Sequence, residues 1–275
     1  MGFELTGLAG RTAIVTGAGR RRGIGRAIAL AFARAGCDVV VTGSGRDPAA
    51  YPADERAIGW CDAESVAEEI RALGRRSLAT VCDITSLEAV EATAAQVRAA
   101  FGGIDFVVNN AARVPGARER VPVHEADPAR FAQTLDVNVK GTFHVCHVFG
   151  RMLVEQGRGG AIVNVSSIAG KRMAPRNAAY GTSKAALHAL TAAMSGEVAE
   201  HAVRVNAVCP GITATAAMDE VPAGAWDAMV KANIPLGRAG QPEDTAALVV
   251  FLCSDQGAWI TGQIYSVDGG QVAGR

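Results

Sequence analysis

Short apolar runs rich in β-branched residues recur down the chain, each separated from the next by a longer stretch of helical character. The runs at 12–16, 39–42, 78–81, 106–109, 161–165, 204–208 and 264–267 predict strands. Between them, 26–35, 63–73, 87–101, 128–156, 180–198 and 242–254 predict helices, that at 128–156 interrupted near Gly141. Gly36 and Gly74 stand just past two of these helices, where a glycine ends a helix without steric cost. A strand reached through a helix this long pairs parallel to its predecessor, since an antiparallel neighbour needs only a tight turn. The expectation is an α/β fold, a doubly wound parallel sheet of about seven strands with helices on both faces. No repeat or composition break divides the chain, so residues 1–275 are expected to form one domain.

Composition narrows the partners. Lys+Arg and Asp+Glu balance at 27 each, which gives no electrostatic reason to expect nucleic acid or an anionic membrane. The six cysteines are scattered without a C-x-x-C pair, which fits reduced thiols in a cytoplasmic protein. No basic flank followed by an apolar core opens the chain, and the apolar run at 246–253 is too short to span a bilayer.

Two stretches carry candidate chemistry. The strand at 161–165 ends at Ser166 and Ser167, and the helix at 180–198 then presents Tyr180 and Lys184 at i and i+4 on one face. An ammonium beside a phenol favours the phenolate, and the Ser167 hydroxyl is available to a carbonyl or alcohol oxygen. Alone, a Y-x-x-x-K spacing more often marks a surface tyrosine and a solvated lysine. The second stretch is Gly17-Ala18-Gly19-Arg20-Arg21-Arg22-Gly23-Ile24-Gly25, between the first strand and the first helix. Glycines there let backbone amides approach a pyrophosphate, although such turns also serve simply to pack strand on helix.

Taken together and in order, these residues resemble the short-chain dehydrogenase/reductase family over nearly the whole chain. Gly17, Gly23, Ile24 and Gly25 resemble its cofactor loop, and Asp83 with Ile84 the contacts to the adenine. Asn109-Asn110-Ala111-Ala112 resembles an N-N-A-G motif with alanine in place of glycine, and Asn138 matches an asparagine whose carbonyl holds a relay water. Ser167, Tyr180 and Lys184 match the catalytic trio. Pro210-Gly211, Thr213 and Thr215 resemble the segment along the nicotinamide. Asp268-Gly269-Gly270 resembles a C-terminal signature. The resemblance implies a Rossmann-type fold and a Tyr-dependent hydride exchange between a nicotinamide dinucleotide and a carbonyl or secondary alcohol, without a metal. It also implies a lid over the substrate at about 212–235 and a homotetramer built on the helices at 128–156 and 180–198. A 3-oxoacyl-thioester reductase, a nucleotide-sugar epimerase from longer relatives and a catalytically silent binding protein are the competing readings.

Two departures bear on the cofactor. Five residues separate Gly17 from Gly23, two more than the family's usual loop, and the arginines fill the excess. The connection at 44–62 is long for a βα loop, so it is either mobile or has a task. NAD-dependent relatives carry an aspartate at the end of the second strand, where this chain has Gly43. With Ser44, Arg46, Arg20, Arg21 and Arg22 nearby, the expectation is NADP(H), its 2′-phosphate held by guanidinium groups. NAD(H) is the alternative, should Asp47 or Asp62 fold back onto the ribose. Arg113 is a candidate anion contact, and His144, Cys146 and His147 a packing group rather than a metal site.

Overall fold

The computed structural model describes residues 4–219 and 221–272. Its centre is a seven-stranded parallel sheet in the order β3-β2-β1-β4-β5-β6-β7. The strands are β1 (Thr12–Val15), β2 (Asp38–Gly43), β3 (Ser77–Val81), β4 (Phe106–Asn109), β5 (Gly160–Val165), β6 (Val203–Pro210) and β7 (Ile264–Val267). The order turns back between β1 and β4, and the crevice outside the strand ends at such a reversal is where ligands of open α/β sheets bind.

Successive residues of a strand face opposite sides, and here both sides are core. Ala13 and Val15 of β1 pack with Phe32 of α1 (Ile24–Arg34), Ile70 of α3 (Ala63–Ala72) and Leu252 of α9 (Pro242–Cys253). Ile14, between them, packs on the other side with Val97 of α4 (Leu87–Phe101) and with Phe149 and Leu153 of α6 (Thr142–Gln156). Phe32 is fully buried and stacks on Phe106 of β4 at 5.8 Å, joining the first helix to the middle of the sheet.

Local chemistry sets the helix ends. Ser86 accepts a hydrogen bond from the Ala89 amide at the start of α4, and Gly102 ends it in a left-handed conformation. Asp127 caps α5 (Pro128–Leu135) by accepting from the Ala129 amide, with Pro128 at the first helical position. The interruption expected near Gly141 is a π-helical segment, Asp136–Gly141, between α5 and α6. It buries Asn138 fully, and a Cβ at Gly141 would strike the Ile84 side chain. The helix carrying Tyr180 is α7 (Ala178–Glu197).

Two helices escaped the sequence pattern, α2 (Ala53–Ala57) inside the 44–62 connection and α8 (Ala223–Asn233) inside the 212–235 segment. The first is a single turn following Pro52, and the second packs into a small satellite cluster of Val230, Ile234 and Ala239 rather than either main core. Neither has enough apolar periodicity to declare itself.

Removing the ring that joins α1 to the sheet should be costly. Phe32→Ala is expected to lower unfolding free energy by about 3–5 kcal/mol and Phe32→Leu by much less, measured by urea denaturation. Equal stability of the alanine variant and the parent would mean that the ring is not packed as described.

Candidate active site

The first βα turn is built to let two backbones approach. Gly17 has φ +64, and a Cβ there would sit 2.6 Å from the Ala111 Cα. The Asn110 side chain donates to the Thr16 and Gly17 carbonyls at 2.9 and 3.0 Å, and the Thr16 hydroxyl receives the Asn110 and Ala111 amides. So the two motifs, far apart in sequence, form one corner at the ends of β1 and β4. Helix α1 opens at Gly23 with no side-chain cap and no acidic residue in its first turn. Its amides and positive dipole end thus fit the pyrophosphate of a dinucleotide.

Beyond β5 the two serines diverge. Ser166 turns inward, donating to the Lys184 carbonyl at 2.9 Å and lying 2.9 Å from His188 Nε2. Ser167 is half-buried, accepts the Ala169 amide, and its hydroxyl favours the ionised form of the Tyr180 phenol. Lys184 is only 2% exposed. Its Nζ donates to the Val165 carbonyl at 2.8 Å and stands 5.6 Å from the centre of the Tyr180 ring. Asn138 lies behind them, its amide nitrogen donating to Ser183 Oγ and the Arg113 carbonyl at 3.0 Å and its oxygen accepting the Arg113 amide. Its backbone carbonyl accepts from the Thr142 hydroxyl at 2.8 Å.

The electrostatics differ from the expectation in one respect. Burial raises the Tyr180 phenol above its ordinary value, opposed by the Ser167 hydrogen bond and the Arg120 guanidinium. The Lys184 ammonium is bonded to the Val165 carbonyl rather than to the phenol oxygen. Burial also pushes Lys184 down to about 8.

Along β6, Pro210 ends the strand and Gly211 packs against Asp268, where a Cβ would meet Asp268 Cβ at 2.8 Å. Thr213 bridges to Gly240, and the Thr215 amide bonds the Thr213 carbonyl at 2.9 Å. Asp83 is exposed past β3, its carboxylate bound to Thr85, while the Ile84 side chain joins the core. A cavity of about 250 Å³ opens beside Tyr180, with Arg120, Phe131 and Asn177 among its walls.

In the glycine loop and past β2, three of the four guanidinium groups expected to await a phosphate are already engaged. Arg46 pairs with Asp62 at 2.8 Å and Glu55 at 3.3 Å, Arg21 with Asp54 at 3.3 Å, and Arg22 with both Asp54 and Asp219. Arg20 is exposed, as is Ser44. Asp47 caps its own turn through the Ala49 amide. Arg113 is likewise held, by Glu119 at 2.6 Å and Thr134 at 2.9 Å. His144 bonds the Ile84 carbonyl and Cys146 is buried against Asn109.

Sequence reasoning missed an interior polar chain in which Asn109 donates to Asn164 at 2.8 Å and Asn164 to Thr191 at 2.9 Å. It ties β4 and β5 to α7 beneath Lys184. The available signal was an asparagine inside the apolar run at 161–165, since a buried amide needs partners.

A crevice at the sheet reversal, an open helix N-terminus for an anion, and a buried tyrosine and lysine beside a cavity fit a dinucleotide-dependent α/β oxidoreductase. Residues 17–271 match the family model described as enoyl-(acyl carrier protein) reductase. The chain is 34% identical to a cyclohexanol dehydrogenase of Rhodococcus sp. (strain TK6), over 96% of each chain. The crystal structure of a short-chain type dehydrogenase/reductase from Mycobacterium marinum is 33% identical and superposes with TM-score 0.80, over 97% of each chain. A 7α-hydroxysteroid dehydrogenase complexed with NADH and 7-oxo glycochenodeoxycholic acid is 34% identical with TM-score 0.83, over 97% of this chain and 96% of that one. The chain belongs to the short-chain dehydrogenase/reductase family and is an NAD(P)-dependent oxidoreductase acting on alcohol and carbonyl groups.

Two outcomes check this geometry. Lys184 has a lower proton affinity folded than the roughly 10.4 of an unfolded lysine, so the unfolded chain binds more protons between about pH 8 and 10. Unfolding free energy should therefore rise with pH there in the parent relative to Lys184→Met; parallel curves would place the ammonium in solvent. Arg22→Ala, which cuts the tie from the glycine loop to Asp219, should raise KM several-fold with little change in melting temperature. An unaltered KM would leave that tie without a role in substrate binding.

Proposed function

We propose that the chain interconverts a secondary alcohol and its ketone, with Tyr180 as proton donor and acceptor and Ser167 as its partner on the substrate oxygen. The observation that carries this is Tyr180 on the wall of a cavity, with the Ser167 hydroxyl beside its phenol and Lys184 buried behind the ring. A bound nicotinamide supplies or accepts the hydride at the substrate carbon. The two hydroxyls hydrogen-bond the substrate oxygen, and in reduction Tyr180 gives it a proton. A phenol held above its ordinary value is protonated at neutral pH and so ready to donate. Lys184 keeps spare N–H groups toward the crevice for a ribose hydroxyl. Asn138 holds Ser183 and the Arg113 backbone in register under Tyr180. The intact trio argues against a silent binding protein.

For the cofactor, the expectation of NADP(H) rested on Gly43 in place of an aspartate and on Arg20, Arg21, Arg22 and Arg46 as phosphate contacts. Arg21, Arg22 and Arg46 are each committed to carboxylates, which supports NAD(H) instead. The segment at 212–235 serves as a lid, tied to the glycine loop by Arg22–Asp219 and by the Ala216 amide on the Arg22 carbonyl; Glu220 lies outside the described residues. Assembly as a homotetramer is supported by exposed Phe143 on α6 and exposed Ala192, Ala193 and Gly196 on α7, where small residues allow close approach. No described helix is long and apolar enough to cross a membrane.

Tyr180→Phe should retain dinucleotide affinity while turnover falls by about 10³-fold or more, in a cofactor assay with a panel of ketones, hydroxysteroids, sugars and acyl thioesters. Turnover close to the parent's would remove Tyr180 from the chemistry. Light scattering at micromolar concentration should return the mass of an oligomer, and a monomeric mass would refute the assembly.

A further inference from the structure

The second strand ends at Gly43, a buried residue with no side chain to offer the adenosine ribose. The space above it is taken by another residue. A Cβ added at Gly43 would run into the Asp62 carboxylate, whose Cγ lies 3.1 Å away. The same carboxylate lies over Gly19 of the glycine loop. Asp62 therefore brings a negative charge to the end of β2 from nineteen positions further along the chain.

The position is strongly determined. Arg46 Nη2 donates to Asp62 Oδ1 at 2.8 Å, and Arg46 is itself held by Glu55, which is 1% exposed, and by the Tyr51 ring at 4.6 Å. Asp62 has φ +51, a backbone that a residue with a side chain seldom adopts unless its surroundings impose it. Its carboxylate keeps 13% of its surface, and only one of its oxygens is bonded to Arg46. The second is free to accept from a ribose hydroxyl, the bond an acidic residue makes in this kind of βαβ unit, and it would repel a 2′-phosphate.

We propose that Asp62, delivered by the 44–62 connection, is the residue that selects NAD(H) over NADP(H), with Arg46 and Glu55 as its positioning residues. This rests on the oxidoreductase reading above.

The test is isothermal titration of NADH and NADPH into the parent, Asp62→Asn and the double variant Asp62→Ala with Gly43→Asp, each shown folded by its thermal melt. The parent should bind NADH more tightly. Asparagine tolerates the backbone and removes the charge, so the affinity ratio in Asp62→Asn should move toward NADPH by about 100-fold. The double variant returns a carboxylate to the end of β2 where the side chain of Asp62 no longer obstructs it, and should regain the NADH preference. A parent that prefers NADPH, or a ratio unmoved in Asp62→Asn, overturns the proposal and leaves the oxidoreductase reading intact. Binding of neither dinucleotide to the folded parent would overturn that reading itself.

Discussion

Parallel pairing is the constraint from which the rest follows. A parallel neighbour is reached only by a crossover, so every strand here begins at one edge of the sheet and ends at the other. All seven carboxyl ends, and the turns that follow them, share one edge. Residues as distant as Thr16, Asn110, Ser167 and Gly211 meet there without long-range loops to bring them together. The reversal between β1 and β4 opens the crevice, and the absence of a side chain at Gly17 lets the two neighbouring turns close on each other.

Against that shared plan, the enlarged glycine loop and the 44–62 connection are a single construction. The Glu55 carboxylate accepts the Arg21 amide at 2.8 Å, so a buried acid from the connection caps the extra residues of the loop. Trp60 donates its indole N–H to the Gly19 carbonyl at 2.7 Å, and Arg26 of α1 lies over the same ring. Asp54 pairs with Arg21 and Arg22. The loop is longer because it has a second surface to satisfy, and the connection is ordered because the loop supplies the donors it needs. Through Arg22 and Asp219 the same ion-pair group reaches the segment after β6.

How much of this could be read from the sequence follows from how local each cause is. The strands at 106–109 and 264–267 and the helix at 87–101 match the sequence reading residue for residue, since apolar runs and caps are written in adjacent residues. The nearness of Ser167, Tyr180 and Lys184 was legible because one strand end and one helix face place them, whereas the spacing alone said nothing of the burial of Lys184. The arginines of the loop were legible as charges but not as pairs, because Asp54 and Glu55 reach them across more than thirty positions with no periodic signal. The same holds for Asp62 over Gly43, a contact that depends on how a nonperiodic connection folds back.

The raised phenol and the lowered ammonium are two effects of one cause. Both groups lie away from water, and burial disfavours whichever form is charged, tyrosinate in one case and ammonium in the other. A lysine so placed keeps its charge only by finding acceptors, and among the described residues its one hydrogen bond is to the Val165 carbonyl. Three N–H groups with one acceptor leave two in search of partners. The phenol is, by the same burial, a reluctant acid at rest. For Tyr180 the Ser167 hydroxyl and the Arg120 guanidinium oppose that burial without cancelling it, so the phenol stays protonated in the resting protein.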